Sequence, residues 1–202
     1  MILPKPINLD VERYIGGLSK YKKIDNPIKL SANESALGAS PKAIKAFEGV
    51  KDKIFNYPES DSSSLRSAIS KKFNLDPEKI ICGAGSDQIF DFICKIFLKP
   101  NDEVIVTEFG FIMHRIYSSI HGAKVLSAKE KNYKASVDEI LKKVSKKTKI
   151  VFIANPNNPT GTYLTKDEML DLRKKLRSDI LLVVDDAYFE FMNNSDFRSG
   201  LD

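Results

Sequence analysis

The sequence predicts an α/β fold with a mostly parallel β-sheet and helices on both faces of that sheet. Short, nearly continuous apolar runs alternate along the chain with longer segments of helical periodicity. Runs such as EVIVT at 103–107 and KIVFIA at 149–154 are typical of strands that are covered on both faces. Because parallel strands need crossover connections, helices between such runs favour a layered α/β architecture.

The individual elements follow from the same two periodicities. The runs predicted to be strands are KIIC at 79–82, EVIVT at 103–107, AKVLS at 123–127, KIVFIA at 149–154 and ILLVV at 180–184. Helices are predicted near SPKAIKAFEGV at 40–50 and at 65–73 and 87–98, where apolar residues recur every three or four positions. Thr165 and Glu168 form the S/T-x-x-E pattern of a capping box and predict a further helix start.

Composition and charge limit the kinds of partner that we expect. The net charge of +5 comes from 32 basic and 27 acidic residues, and the lysines are scattered without interleaved aromatic side chains. This favours a solvated surface over a nucleic-acid interface. No apolar run approaches the roughly 20 residues of a membrane span, and the start, MILPKPINLD, lacks the layout of a signal peptide. Cys82 and Cys94 stand among apolar neighbours, which favours reduced core residues and a cytoplasmic protein.

The segment KIICGAGSDQIFDFI is the first candidate binding motif. A strand is predicted to enter a Gly-Ala-Gly turn, after which Ser86 or Asp87 caps a helix whose N-terminal amides favour a phosphate. A dinucleotide-binding fingerprint would need a third glycine where Gln88 stands. From these residues alone a phosphate site, a nucleotide fold and a turn that binds nothing all stay open.

Two further motifs follow predicted strands. In ANPNNPTG at 154–161, prolines restrict the backbone, so the asparagine amides are held as a ligand site requires, although a simple connecting turn is the alternative. In VVDDAY, Asp185 and Asp186 are neighbours on a strand and point to opposite faces, which disfavours a shared metal ion. A single carboxylate at the carboxyl edge of the sheet is the better prediction.

Together, KLSANESALGASPKAI, NYPE, GAGSDQ, ANPNNPTGTY and VVDDAY resemble the fold-type-I pyridoxal-phosphate aminotransferases. The resemblance implies a partial cofactor-binding large domain at 51–202, and an irregular N-terminal arm with a first helix at 1–50 that belongs to the small domain in the family. It implies pyridoxal 5′-phosphate as cofactor and no metal. It also implies a homodimer that uses two small molecules, with histidinol phosphate as the expected amino donor and 2-oxoglutarate as the acceptor.

The resemblance assigns roles around the cofactor ring. Asp185 is expected to pair with the protonated pyridine nitrogen. Asn158 and Tyr188 are expected to hydrogen-bond the phenolic oxygen of the ring. His114 replaces a family tyrosine and is expected to stack over the ring.

The resemblance also assigns the groups that hold the cofactor phosphate. Gly85, Ser86 and Asp87 are expected to bind it at a helix N-terminus. Tyr57, in the Tyr-Pro motif, is expected to reach the phosphate bound by the partner subunit.

The Schiff-base lysine of the family would follow Tyr188 at a position beyond Asp202. We therefore expect this chain to be the N-terminal portion of a larger enzyme and to be inactive alone. The residues above leave open a related enzyme, such as a phosphoserine or phosphothreonine decarboxylase or another amino acid aminotransferase. A non-catalytic truncated product is a third alternative.

Overall fold

The computed structural model describes residues 11, 13–18, 24 and 28–201. Most of the expected irregular arm before residue 28, including the start MILPKPINLD, lies outside the described residues. The described residues between 14 and 82 form one compact unit, and residues 83–201 with 11 and 13 form the other. The boundary expected near residue 50 therefore falls inside the first unit.

The unit of residues 14–82 is helical where it is regular. Helix α1 spans Pro41–Glu48 and α2 spans Ser63–Phe73, while short 3-10 turns occupy Lys51–Lys53 and Pro77–Lys79. Both helices match the predictions. Many large apolar side chains of this unit are exposed to solvent, among them Ile15, Leu37, Phe47, Phe55 and Tyr57.

The run KIIC at 79–82 is not a strand, which corrects the prediction. Lys79 closes the second 3-10 turn, and the Ile80 amide donates to Pro77 O. A strand requires a neighbour for its hydrogen bonds, and none of the four strands of the described sheet pairs with these residues. Apolar composition alone could not reveal this.

The second unit contains a four-stranded, fully parallel sheet. Its strands are β1 Glu103–Thr107, β2 Lys124–Ala128, β3 Thr148–Ala154 and β4 Leu181–Asp185, in the order β2-β1-β3-β4. All three pairings are parallel, as predicted. Because the register matches Ala154 with Asp185, β3 and β4 end side by side at the same edge.

Helices cover both faces of this sheet, which confirms the predicted layering. They are α3 Gly85–Phe97, α4 Ile112–Ile120, α5 Val137–Lys142 and α6 Lys166–Lys175. Alternate residues of the strands enter two different cores. One core contains Val104 and Phe152 with Phe90 and Cys94, and the other contains Ile105, Val151 and Ile153 with Ile140 and Leu172.

The chemistry of the helix ends differs in part from the sequence predictions. Thr165 and Glu168 do form the predicted capping box at the start of α6. Helix α3, in contrast, begins at Gly85 after Ala84, so neither Ser86 nor Asp87 is its N-cap residue. Instead, the Gln88 side chain turns back and accepts the Ala84 amide at 2.7 Å.

Cys94 is fully buried in the core, as predicted, and Cys82 is half-buried. Burial raises the pKa of the Cys94 thiol to about 11. Over the described residues, no helix is both long enough and apolar enough to cross a lipid bilayer.

Candidate active site

A small cavity lies at the carboxyl edge of the sheet, where open α/β proteins bind ligands. It is bordered by the end of β3, the end of β4, the start of α3 and the loop before α4. The residues that line it are Ser86, Phe111, Ala154, Pro156, Asn158, Asp185, Ala187 and Tyr188. The structure thus brings together Ser86, Asn158, Asp185 and Tyr188, which the sequence placed in a common site.

The start of α3 borders this cavity with backbone groups that are suited to an anion. Gly85 has a φ of +73°, a conformation that side chains disfavour. A Cβ atom at this position would meet nothing within 4 Å, so the backbone is open to an approaching ligand. No side chain caps the helix at Ala84, and the N-terminal amides of a helix attract anions such as phosphate. Asp87 lies in this first turn but does not line the cavity.

Asp185 places a carboxylate at the end of β4. Its side chain is 8% exposed, its Oδ1 accepts the Ala187 amide at 3.2 Å, and its Oδ2 lies 3.2 Å from His114 Nε2. Each oxygen of the Asp185 carboxylate therefore has its own partner, and the two contacts fix its orientation. An oriented, nearly buried carboxylate suits a ligand that presents a protonated nitrogen.

Asp186 faces elsewhere. Its Oδ2 accepts the Ser199 hydroxyl at 2.7 Å and the Gly200 amide at 2.6 Å. The two neighbouring carboxylates thus have separate partners, as the alternation of a strand requires. Within the described part of the chain, no group of three or more His, Cys, Asp or Glu side chains could hold a metal ion.

His114 has a different position from the one expected. Its ring is 2% exposed, stacks on Phe152 at a centroid distance of 4.9 Å and an interplanar angle of 13°, and meets Phe90 edge to face. A buried ring cannot also cover a ligand in the open cavity, so the expected stacking role of His114 is corrected. It orients Asp185 instead, and Phe111 and Tyr188 are the aromatic side chains that line the cavity.

The asparagines of the 154–161 turn have divided roles. Asn155 is 1% exposed, and its amide group exchanges two hydrogen bonds with the backbone of Leu164, at 3.1 and 2.7 Å. Asn157 donates to Phe109 O at 3.1 Å and to Thr160 Oγ1 at 2.8 Å. Only Asn158 of these three lines the cavity. Two asparagines therefore hold the turn, and the third borders the cavity.

Sequence reasoning missed two features of this site. Phe111 was visible as an aromatic residue in the segment Phe109-Gly110-Phe111 after β1, a usual place for ligand contacts. Glu130 gave no motif signal, although its carboxylate accepts the Phe109 amide at 3.1 Å. Tyr57 lies in the unit of residues 14–82 and is fully exposed.

Comparison with known proteins identifies the class of protein that this fold and site belong to. The sequence profile of the family described as aminotransferase class I and II matches residues 25–202. The chain therefore belongs to the aminotransferase class I and II family.

Individual relatives carry a more specific name. The histidinol-phosphate aminotransferase of Pelagibacter ubique (strain HTCC1062) is 59% identical over 202 residues, which cover 100% of this chain and 56% of that protein. The histidinol-phosphate aminotransferase of Paramagnetospirillum magneticum (strain ATCC 700264 / AMB-1) is 44% identical over 199 residues, which cover 98% and 55%. The chain thus spans about half the length of these curated relatives.

A solved structure shows the same fold. The crystal structure of histidinol-phosphate aminotransferase from Sinorhizobium meliloti in complex with pyridoxal-5′-phosphate matches with a TM-score of 0.78 and 22% identity, over 82% of this chain and 45% of that one. The fold is that of the fold-type-I aminotransferases, as the sequence resemblance implied.

Proposed function

We propose that this chain forms one wall of a pyridoxal 5′-phosphate site in an aminotransferase that moves an amino group from histidinol phosphate to 2-oxoglutarate. The observation that carries the proposal is the meeting of the Asp185 carboxylate, the Asn158 amide and the start of α3 in one cavity. The names of the similar proteins support histidinol phosphate as the amino donor.

The side chains of the cavity fit the chemical groups of the cofactor. Pyridoxal 5′-phosphate has a basic ring nitrogen, a phenolic oxygen and a phosphate dianion. Asp185 suits the protonated ring nitrogen, and Asn158 and Tyr188 suit the phenolic oxygen. The open backbone at Gly85 and Ser86 suits the phosphate. When bound, the cofactor supplies an electron sink for the negative charge that develops on the substrate carbon.

Within this proposal each protein group has a defined task. Asp185 holds the proton on the ring nitrogen, because a carboxylate in a nearly dry environment favours a neighbouring positive charge. His114 keeps that carboxylate in place through its contact with Oδ2. Phe111 packs against the ring and excludes water from that side of the cavity. Asp87, in the first turn of α3, is assigned to the phosphate region on the resemblance alone.

Assembly and location belong to the same proposal. We propose a cytoplasmic homodimer in which Tyr57 contacts the phosphate held by the partner subunit. The exposure of Tyr57 and of several large apolar side chains in residues 14–82 supports a partner surface in this unit. We also propose that residues 1–50 belong to a small domain and residues 51–202 to the large domain of the full-length protein.

Cofactor binding is tested by equilibrium dialysis of this chain against pyridoxal 5′-phosphate. We expect saturable binding of one molecule per chain, weakened at least tenfold by Asp185→Ala. Asp186→Ala is the matched control, because that carboxylate bonds Ser199 and Gly200 outside the cavity. Absence of saturable binding, or equal losses in both variants, would contradict the assignment.

The substrate is tested in a chimera of this chain and the Pelagibacter ubique relative, to which the chain aligns over all 202 of its own residues. In the chimera, this chain replaces the aligned segment of the relative. We expect the chimera to convert histidinol phosphate and 2-oxoglutarate to imidazole-acetol phosphate and glutamate. The chimera with Asp185→Ala is the negative control. A chimera that binds the cofactor and transfers amino groups only from other donors would overturn the substrate part of the proposal.

A further inference from the structure

The loop of residues 108–111 connects β1 to α4 and brings Phe111 to the cavity. The backbone of Phe109 is held from both sides. Its amide donates to Glu130 Oε1 at 3.1 Å, and its carbonyl accepts from Asn157 Nδ2 at 3.1 Å. Each of the two polar groups of this residue thus has a side-chain partner that is distant in sequence.

The two partners come from the strands that flank β1. Glu130 follows β2, and Asn157 follows β3, while the strand order is β2-β1-β3. The loop after β1 therefore lies between them at the carboxyl edge of the sheet. A further hydrogen bond connects the loops after β1 and β2, in which the backbone amide of Glu130 donates to Glu108 Oε2 at 3.2 Å.

Phe111, at the end of this loop, packs against the core beside Phe90 and His114. Side-chain packing holds the preceding residue pair, Phe109 and Gly110, only weakly. The Phe109 ring is 43% exposed and has one aromatic neighbour, Tyr133, at a centroid distance of 5.4 Å. Gly110 contributes no side chain. The positions of Phe109 and Gly110 therefore depend mainly on backbone hydrogen bonds, above all on the two side-chain contacts to Phe109.

Both partners are themselves held in place. The Asn157 side chain is 9% exposed, and its Nδ2 also donates to Thr160 Oγ1 at 2.8 Å. The backbone amide of Asn157 donates to Thr162 O at 2.8 Å. Glu130 is half-buried, and this burial raises the pKa of its carboxyl group. The hydrogen bond from the Phe109 amide lowers the pKa by a smaller amount. Neither group behaves as a freely moving surface side chain.

We propose that Glu130 and Asn157 are positioning residues that clamp Phe109 and thereby set Phe111 against the ligand in the cavity. The identity of that ligand as pyridoxal 5′-phosphate rests on the proposed function. The clamp itself is a property of three loops at the edge of the sheet. It predicts that loss of either side chain loosens residues 108–111 and leaves the rest of the fold intact.

Hydrogen exchange of this chain, followed by mass spectrometry, tests the clamp without any ligand. We expect Glu130→Ala and Asn157→Ala to speed exchange in peptides that contain Phe109 and Gly110 by roughly tenfold or more, with peptides from β3 unchanged. Glu130→Gln retains an acceptor oxygen and should restore protection. Glu139→Ala and Asn193→Ala are matched controls away from the loop.

If an alanine variant unfolds, a conservative variant and a fluorescence reporter still test the clamp. Asn157→Asp retains the size of the side chain but loses the donor, so it should loosen the loop. The chain has no tryptophan, so Phe111→Trp gives a single reporter whose emission should shift to the red when either partner is removed. Unchanged exchange and unchanged emission in the folded variants would overturn the clamp.

Dialysis against pyridoxal 5′-phosphate then separates the clamp from the proposed function. Weaker binding in both loosened variants, and recovery in Glu130→Gln, supports the link between clamp and cofactor. Equal binding in loosened and parent chains overturns that link. A parent chain that does not bind at all contradicts the proposed function, while hydrogen exchange still decides whether the clamp exists.

Discussion

The contact between His114 and Asp185 provides the sharpest test of the site. Replacing His114 by Phe keeps an aromatic ring between Phe90 and Phe152, which lie at centroid distances of 4.7 and 4.9 Å. It removes the partner of Asp185 Oδ2 at 3.2 Å. Because the Asp185 side chain is 8% exposed, water replaces that partner poorly, and we expect a loss of about 1.5–3 kcal/mol in unfolding free energy.

His114→Ala should cost more than His114→Phe. It also removes three aromatic contacts, with Phe90, Phe111 and Phe152, each of which contributes about 0.5–1.5 kcal/mol beyond burial. The difference between the two variants should therefore be about 1.5–4.5 kcal/mol. This comparison separates the packing of the ring from its hydrogen bond.

Urea unfolding followed by circular dichroism measures these losses. The matched control is His121→Phe, because His121 Nε2 contacts Asp91 Oδ1 at 2.8 Å with side chains that are 21% and 39% exposed. That surface contact should contribute less than about 1 kcal/mol. In a double-mutant cycle, Asp185→Asn should cost less in the His114→Phe background than in the parent. If His114→Phe cost no more than His121→Phe, the orienting role of His114 would be refuted.

Three other outcomes are expected. Asp185→Asn should weaken pyridoxal 5′-phosphate binding much more than Asp186→Asn, and dialysis showing similar losses would contradict the assignment of Asp185 to the ring nitrogen. Asn155→Ala should lower the unfolding free energy by about 2–4 kcal/mol, because the buried backbone groups of Leu164 lose both partners; a loss below about 1 kcal/mol would show that water or a shifted backbone replaces them. Burial raises the pKa of Glu130 above 4.5, so its stabilising contribution is complete below that pH and is lost as the pH rises through the folded-state pKa. Urea unfolding between pH 4 and 7 should therefore show the parent chain losing stability relative to Glu130→Gln as the pH rises, and a difference of the opposite sign would contradict the burial of this carboxyl.

Local patterns predicted most of the elements because each depends on neighbours in the chain. The periodicity of α2 and α3, the apolar runs of β1 and β3 and the capping box at Thr165 are all short-range signals. The prediction of a strand at 79–82 was wrong because a strand needs a neighbouring strand as well as apolar residues. The N-cap of α3 was predicted at the wrong residue. The Gln88 side chain accepts the Ala84 amide, and the sequence does not show which of the polar side chains near a helix start will accept a given backbone amide.

Sequence patterns predicted the α/β class and the parallel sheet, and they grouped Asn158, Asp185 and Tyr188 because these residues follow strands that end at one edge of the sheet. Ser86 was grouped with them through the family resemblance, since the run before it does not form a strand. The position of His114 became clear from the packing of the folded chain, in which the ring is buried and contacts Asp185 while Phe111 lines the cavity. The tertiary structure alone joined Glu130 and Asn157 to Phe109, across 21 and 48 positions of sequence. The physical reason is that side-chain direction and long-range hydrogen bonds depend on how strands and loops pack, which no local pattern encodes.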